Sequence, residues 1–174
     1  MEDLVVFFLF IGVITIFLVL LSVGVSMLQY IFTGIGLMKI GERLGEKAPW
    51  LSWIPYASTY LIGKMGKNKK FGILLVILYA VSAVFGGAIS VVGTLAADID
   101  SETCDIIILI IAIVMFIYSV AVSILYFIAC HGVFKKLSEK ATIMTVFNVL
   151  TGGAMAPIFF FSIRNNKIRE EINY

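Results

Sequence analysis

The chain has 174 residues, 61% of them apolar, with a mean hydropathy of +1.07 and a net charge of +2. That composition excludes an ordinary soluble globular domain, and so small a charge surplus gives no basis for a nucleic-acid partner. With one histidine and two cysteines the chain also lacks the ligands for a metal centre of the usual His/Cys type.

The first element is the charge-free run Leu4–Met38, preceded by the acidic start Met1-Glu2-Asp3. It exceeds the roughly 20 residues that cross a hydrocarbon core about 30 Å thick. The acidic start and the length argue for a retained span over a cleaved signal peptide, whose apolar region is about 7–15 residues. As one helix the run is roughly 50 Å long. It therefore tilts and projects beyond the bilayer, or breaks near Gly34 and Gly36.

Ala48–Gly63 comes next, short and interrupted by Pro49 and Pro55, with Trp50 and Trp53 between them. Proline removes a backbone donor and disfavours helix in the residue before it, and tryptophan prefers the headgroup level. Phe71–Ala97 is a second charge-free span, followed by the acidic loop Asp98–Asp105, and Ile106–Phe134 is the third span. Ala141–Ile163 is long enough to cross, but Gly152, Gly153 and Pro157 sit at its middle, as a bend requires.

Charge orients these elements. All thirteen Lys and Arg residues fall in four clusters: Lys39/Arg43/Lys47, Lys64/Lys67/Lys69/Lys70, Lys135/Lys136/Lys140 and Arg164/Lys167/Arg169. Short loops rich in Lys and Arg stay cytoplasmic, so the N-terminus lies outside and the C-terminus inside a cell membrane. Both interrupted stretches carry basic clusters on each side, so each begins and ends on the cytoplasmic side. The expected fold is an all-α integral membrane protein with three transmembrane helices and two re-entrant or interfacial segments on that side. The competing layout makes Ala141–Ile163 a fourth span, at the cost of placing Arg164, Lys167 and Arg169 outside. The clusters also form a collar that attracts anionic lipid headgroups.

A weak duplication runs through the chain. Tyr30, Gly36 and Lys39 pair with Tyr126, Gly132 and Lys135 at one constant spacing, and after a short deletion Glu46-Lys47 pairs with Glu139-Lys140. The candidate parallel repeat divides the single membrane domain, 1–174, into unit A (1–70), a return helix (71–97), the external acidic loop (98–105) and unit B (106–174).

Small and hydroxylic residues share faces: Ser22, Ser26, Gln29 and Thr33 on the first helix, and Ser82, Gly86, Ser90 and Gly93 on the return helix. This spacing lets helices approach closely within a chain or between chains, or lines a pathway. No Asp, Glu, Lys, Arg or His lies near the midplane of a full span, which disfavours an ion-coupled carrier. His131 adjoins Cys130 without an activating acid–base set, and no phosphate loop, zinc-protease signature or nucleophile elbow is present. Neither catalysis nor a cofactor is expected. The acidic loop lacks the glycine and terminal glutamate of an EF-hand and reads as a solvated loop.

Lys39–Pro55, read as Lys-x-Gly-x-x-x-Gly-x-x-x-Pro-Trp-Leu-x-Trp-Ile-Pro, resembles a segment of small bacterial polytopic membrane proteins. The resemblance implies a bacterial cytoplasmic-membrane location and brings no activity or catalytic residues. The expectation is a non-enzymatic membrane protein acting by helix–helix association with itself or another membrane protein. The alternative is a passive channel or permease between the two repeats.

Overall fold

The computed structural model describes residues 2–96 and 102–168, with side-chain surroundings for 7–88, 90 and 106–168. Asp98, Asp100 and Ser101 of the acidic loop lie outside the described residues, as does Arg169. Gly93 and Cys104 are described only in their backbone.

Six α-helices follow in order: α1 Glu2–Arg43, α2 Ala57–Gly66, α3 Lys69–Ala96, α4 Glu102–Leu137, α5 Ala141–Leu150 and α6 Ala156–Ile163. A 3-10 helix, Pro49–Trp53, precedes α2, and no strand occurs among the described residues. Three helices are long and apolar enough to cross a bilayer, over Phe7–Arg43, Lys69–Ala88 and Ile106–Leu137.

Local chemistry sets the boundaries. α1 runs unbroken for 42 residues, about 63 Å, through Gly34 and Gly36. It stops at Gly45 (φ 74°), where the Gly45 amide donates to Glu42 O at 3.2 Å and the Glu46 amide to Gly41 O at 2.9 Å. This is the Schellman arrangement, which satisfies the last helical carbonyls through a left-handed residue. α5 ends the same way. Gly152 has φ 62°, and its amide and that of Gly153 donate to Val149 O at 3.0 Å and Asn148 O at 2.8 Å. Pro49 and Pro157 occupy first-turn positions, where proline loses no helical bond. Asn68 caps α3, its Oδ1 accepting the Phe71 amide at 2.8 Å.

The core gathers where the basic clusters are. Leu37 and Ile40 of α1, Leu61 and Met65 of α2, Leu75 of α3, Val133 and Phe134 of α4, and Phe160 of α6 are buried together. Between membrane helices lipid is as apolar as leucine, so close packing replaces the hydrophobic drive. Glycine supplies the closeness at two crossings. A Cβ on Gly36 would stand 2.7 Å from the Phe160 carbonyl carbon, and one on Gly132 would stand 2.0 Å from the Gly66 oxygen. Thus α1 crosses α6, and α4 crosses α2.

A side-chain bond ties together the flanks of each interrupted stretch. In the first, Lys64 Nζ bonds Glu46 Oε2 across the segment. In the second, Asn166 Nδ2 donates to Leu137 O at 3.0 Å, joining the end of α6 to the end of α4. With 10 and 8 residues, α5 and α6 each reach only about 12–15 Å. Away from the basic end the long helices are bare: Phe8, Phe17, Leu20, Val84, Leu109 and Phe116 are all exposed.

Candidate functional site: a polar cleft between α1, α3 and α4

The bare halves are apolar, but one polar cleft lies between them and the core. It has a volume of about 390 Å³ and is lined by Gln29, Tyr79, Ser123, Tyr126 and the turn Gly152–Gly153, with Phe127 and Ala154. Each helical member lies about 14–18 Å along its helix from a basic residue: Gln29 from Lys39, Tyr79 from Lys70, Tyr126 and Ser123 from Lys135. The cleft is thus a layer at one depth.

Its geometry follows from the elements. Tyr79 and Tyr126 meet edge to face, centroids 6.3 Å apart, which fixes both rings. Tyr118, one turn or more farther out, donates to Leu78 O at 2.7 Å and ties α4 to α3 beside them. The Schellman turn of α5 carries Gly152 and Gly153 to the mouth, where a left-handed backbone exposes peptide groups that a helix would hide. The lining side chains carry no formal charge. They offer an amide and three hydroxyls, suited to neutral hydrogen-bonding groups and unsuited to holding an ion alone.

Of the residues singled out from sequence, Gln29 is brought together with Gly152 and Gly153. Ser22 and Ser26 are exposed and outside the cleft, their hydroxyls donating to Val19 O and Ser22 O, both at 2.8 Å. Thr33, Ser82 and Ser90 likewise donate to Gln29 O, Leu78 O and Gly86 O. A Cβ on Gly86 would meet nothing within 4 Å among the described residues. At the other interrupted stretch, Pro49 opens the 3-10 helix and Pro55 follows it, while Trp50 is exposed. Trp53 lies against Gly34, its indole nitrogen donating to Met38 sulfur at 3.4 Å and its carbonyl accepting the Tyr30 hydroxyl.

Sequence reasoning missed Tyr79, Ser123 and Tyr126, and also Asn148. Asn148 is fully buried on α5, and neither its Oδ1 nor its Nδ2 has a hydrogen-bond partner among the described residues. Being the sole amide side chain in the apolar stretch 141–163, it carried a signal that was there to be read. His131 Nδ1 lies 2.8 Å from Thr145 Oγ1, which is also 2.8 Å from Ala141 O, so the imidazole is tied to α5 through the threonine hydroxyl. Cys130 is buried beside it with a free thiol. No group of three or more His, Cys, Asp or Glu side chains that could hold a metal occurs among the described residues.

These features define an all-α, multi-pass membrane protein with its packed core at the basic end. Comparison with protein-family models, with curated proteins and with solved structures finds no match for this chain.

Proposed function

We propose that this is a non-enzymatic multi-pass membrane protein that acts by helix–helix association, with its own copies or as an accessory subunit of a membrane complex. The observation that carries this reading is the contrast between two sets of glycines. Gly36, Gly66 and Gly132 are consumed at crossings, whereas a Cβ on Gly12, Gly24, Gly86 or Gly87 would meet nothing within 4 Å among the described residues. Small residues on an otherwise bulky membrane helix are of use where another backbone comes close. Gly86→Leu with Ser90→Leu is expected to weaken self-association or partner retention about tenfold in mild detergent. Unchanged oligomer size and unchanged co-purifying partners would remove that face from consideration.

In this reading the basic collar faces the cytoplasm of a bacterial cell, contacts anionic headgroups, and the two interrupted stretches are re-entrant or interfacial segments on that side. The repeat is part of the same proposal. Gly36 and Gly132, paired in the duplication, each make the crossing to the short helix of the other unit. A cation then caps each short helix: Arg43 Nη1 donates to Arg164 O and Asn166 O at 3.1 and 2.8 Å, and Lys136 Nζ to Met65 O at 2.5 Å.

The polar cleft supports a second reading, passive passage or binding of a small neutral solute. Non-helical backbone at membrane depth persists where it is buried or lines a wet cavity, and the Gly152–Gly153 turn opens on this one.

A further inference from the structure

At the basic end a second cleft, about 260 Å³, lies between α1, the 3-10 helix and the end of α6, lined by Lys39, Glu42, Trp53, Arg164, Asn165 and Ile35. We propose that it binds the phosphate of an anionic phospholipid, a defined site that goes beyond the diffuse attraction of the collar and rests on the membrane placement above.

The charge fits. Lys39 and Arg164, from clusters at opposite ends of the sequence, converge here, and Glu42 pairs with Lys39 at 3.0 Å. One positive charge remains, matching the single negative charge of a phosphodiester. Geometry fits as well. The Arg164 guanidinium lies over the Phe161 ring at 3.5 Å, and its Nη1 donates to Phe161 O at 2.5 Å. Stacking holds the planar fork in place while, among the described residues, most of its N–H donors stay free for phosphate oxygens. Arg43 holds the Arg164 carbonyl from the other side at 3.1 Å, fixing the backbone that presents the fork.

Two features select a lipid over free phosphate. Trp53 stands at the cleft, where an indole marks the headgroup level. Above Lys39 on the same face of α1, Ile35 and Ile31 are 38% and 41% exposed and offer acyl chains a continuous apolar track.

The full chain, purified in detergent and mixed with phosphatidylglycerol or phosphatidylcholine, is read by native mass spectrometry on the monomer peak, so the result is independent of self-association. One phosphatidylglycerol is expected to be retained about tenfold over phosphatidylcholine. Arg164→Gln and Lys39→Gln should each abolish that preference, and Arg164→Lys should restore only part of it, because the charge returns without the fork. Lys69→Gln with Lys70→Gln, exposed at the start of α3, should leave it intact. Lys39 is 53% exposed, so its variant removes the charge without disturbing the core. Equal loss in the Lys69/Lys70 variant would reduce the site to collar electrostatics and overturn the proposal. So would displacement of the lipid by millimolar inorganic phosphate, or full retention by Lys39→Gln and Arg164→Gln.

Discussion

Single atoms decide most at the glycine crossings. A methyl group at residue 132 would be driven into the Gly66 carbonyl, and both partners are backbone, so neither can give way by changing rotamer. Gly132→Ala is expected to cost about 1–3 kcal/mol, read as earlier thermal exposure of the buried Cys130 thiol in a Cys104→Ser background. Gly86→Ala should leave that transition where it is. The Lys64–Glu46 pair makes a second prediction. The hydrogen bond to Glu46 raises the Lys64 amine above its ordinary value of 10.5, against a smaller opposing effect of burial. A raised folded-state value means the pair stabilises fully below the unfolded value and less as pH climbs through the folded one. The stability gap between the protein and Lys64→Gln, about 1 kcal/mol or less, should hold from about pH 7 to about pH 10 and close above that. Residues of this kind were unevenly legible. Gln29 and the Gly152–Gly153 bend stood out as polar or conformationally special among apolar neighbours. Tyr79 and Tyr126 did not, because a tyrosine on an apolar helix looks the same whether its hydroxyl meets lipid headgroups or lines a cleft.

Element by element, the three spans were legible because their apolar length leaves a helix no other place to be. The fate of Gly34 and Gly36 was not. A break was one of two readings, yet α1 is continuous there, since those glycines admit the Trp53 ring and the Phe160 backbone where a bend would have left them open. The short stretch Ala48–Gly63 resolves into a 3-10 helix and α2, which runs on to Gly66, with Pro49 and Pro55 as punctuation. For Ala141–Ile163, the Asn166–Leu137 bond joins the segments that flank the stretch, in keeping with the proposed re-entrant course. Under the proposed orientation, cysteines placed at Ser138 and Asn166 are expected to react with an impermeant thiol reagent only after the cells are permeabilised. External reaction at residue 166 alone would turn the stretch into a fourth span.

On the scale of the whole molecule, the pattern of charge led to the expectation of a shared loop side, but gave no sign that the packed core would sit beside the basic clusters. Periodicity gave no warning, because residues facing lipid and residues facing protein are equally apolar in such a chain. The cleft was legible only in part for the same reason: its members come from four distant segments. If the cleft passes solute, proteoliposomes should show glycerol flux above protein-free vesicles, and Gln29→Leu should lower it several-fold by replacing the amide with an apolar wall. A flux equal to that of empty vesicles would leave association as the surviving reading.

The crossing of α1 by α6 has a consequence in time. α1 leaves the ribosome well before α6, the helix that closes against it. Throughout synthesis the buried face around Gly36 must wait in the bilayer, with only the 3-10 helix and α2 for company. The α4–α2 crossing, much closer along the chain, can form while the rest is still being made. Assembly thus runs from the second crossing to the first, and a chain stalled before residue 156 keeps its membrane helices while the Gly36 face of α1 stands uncovered.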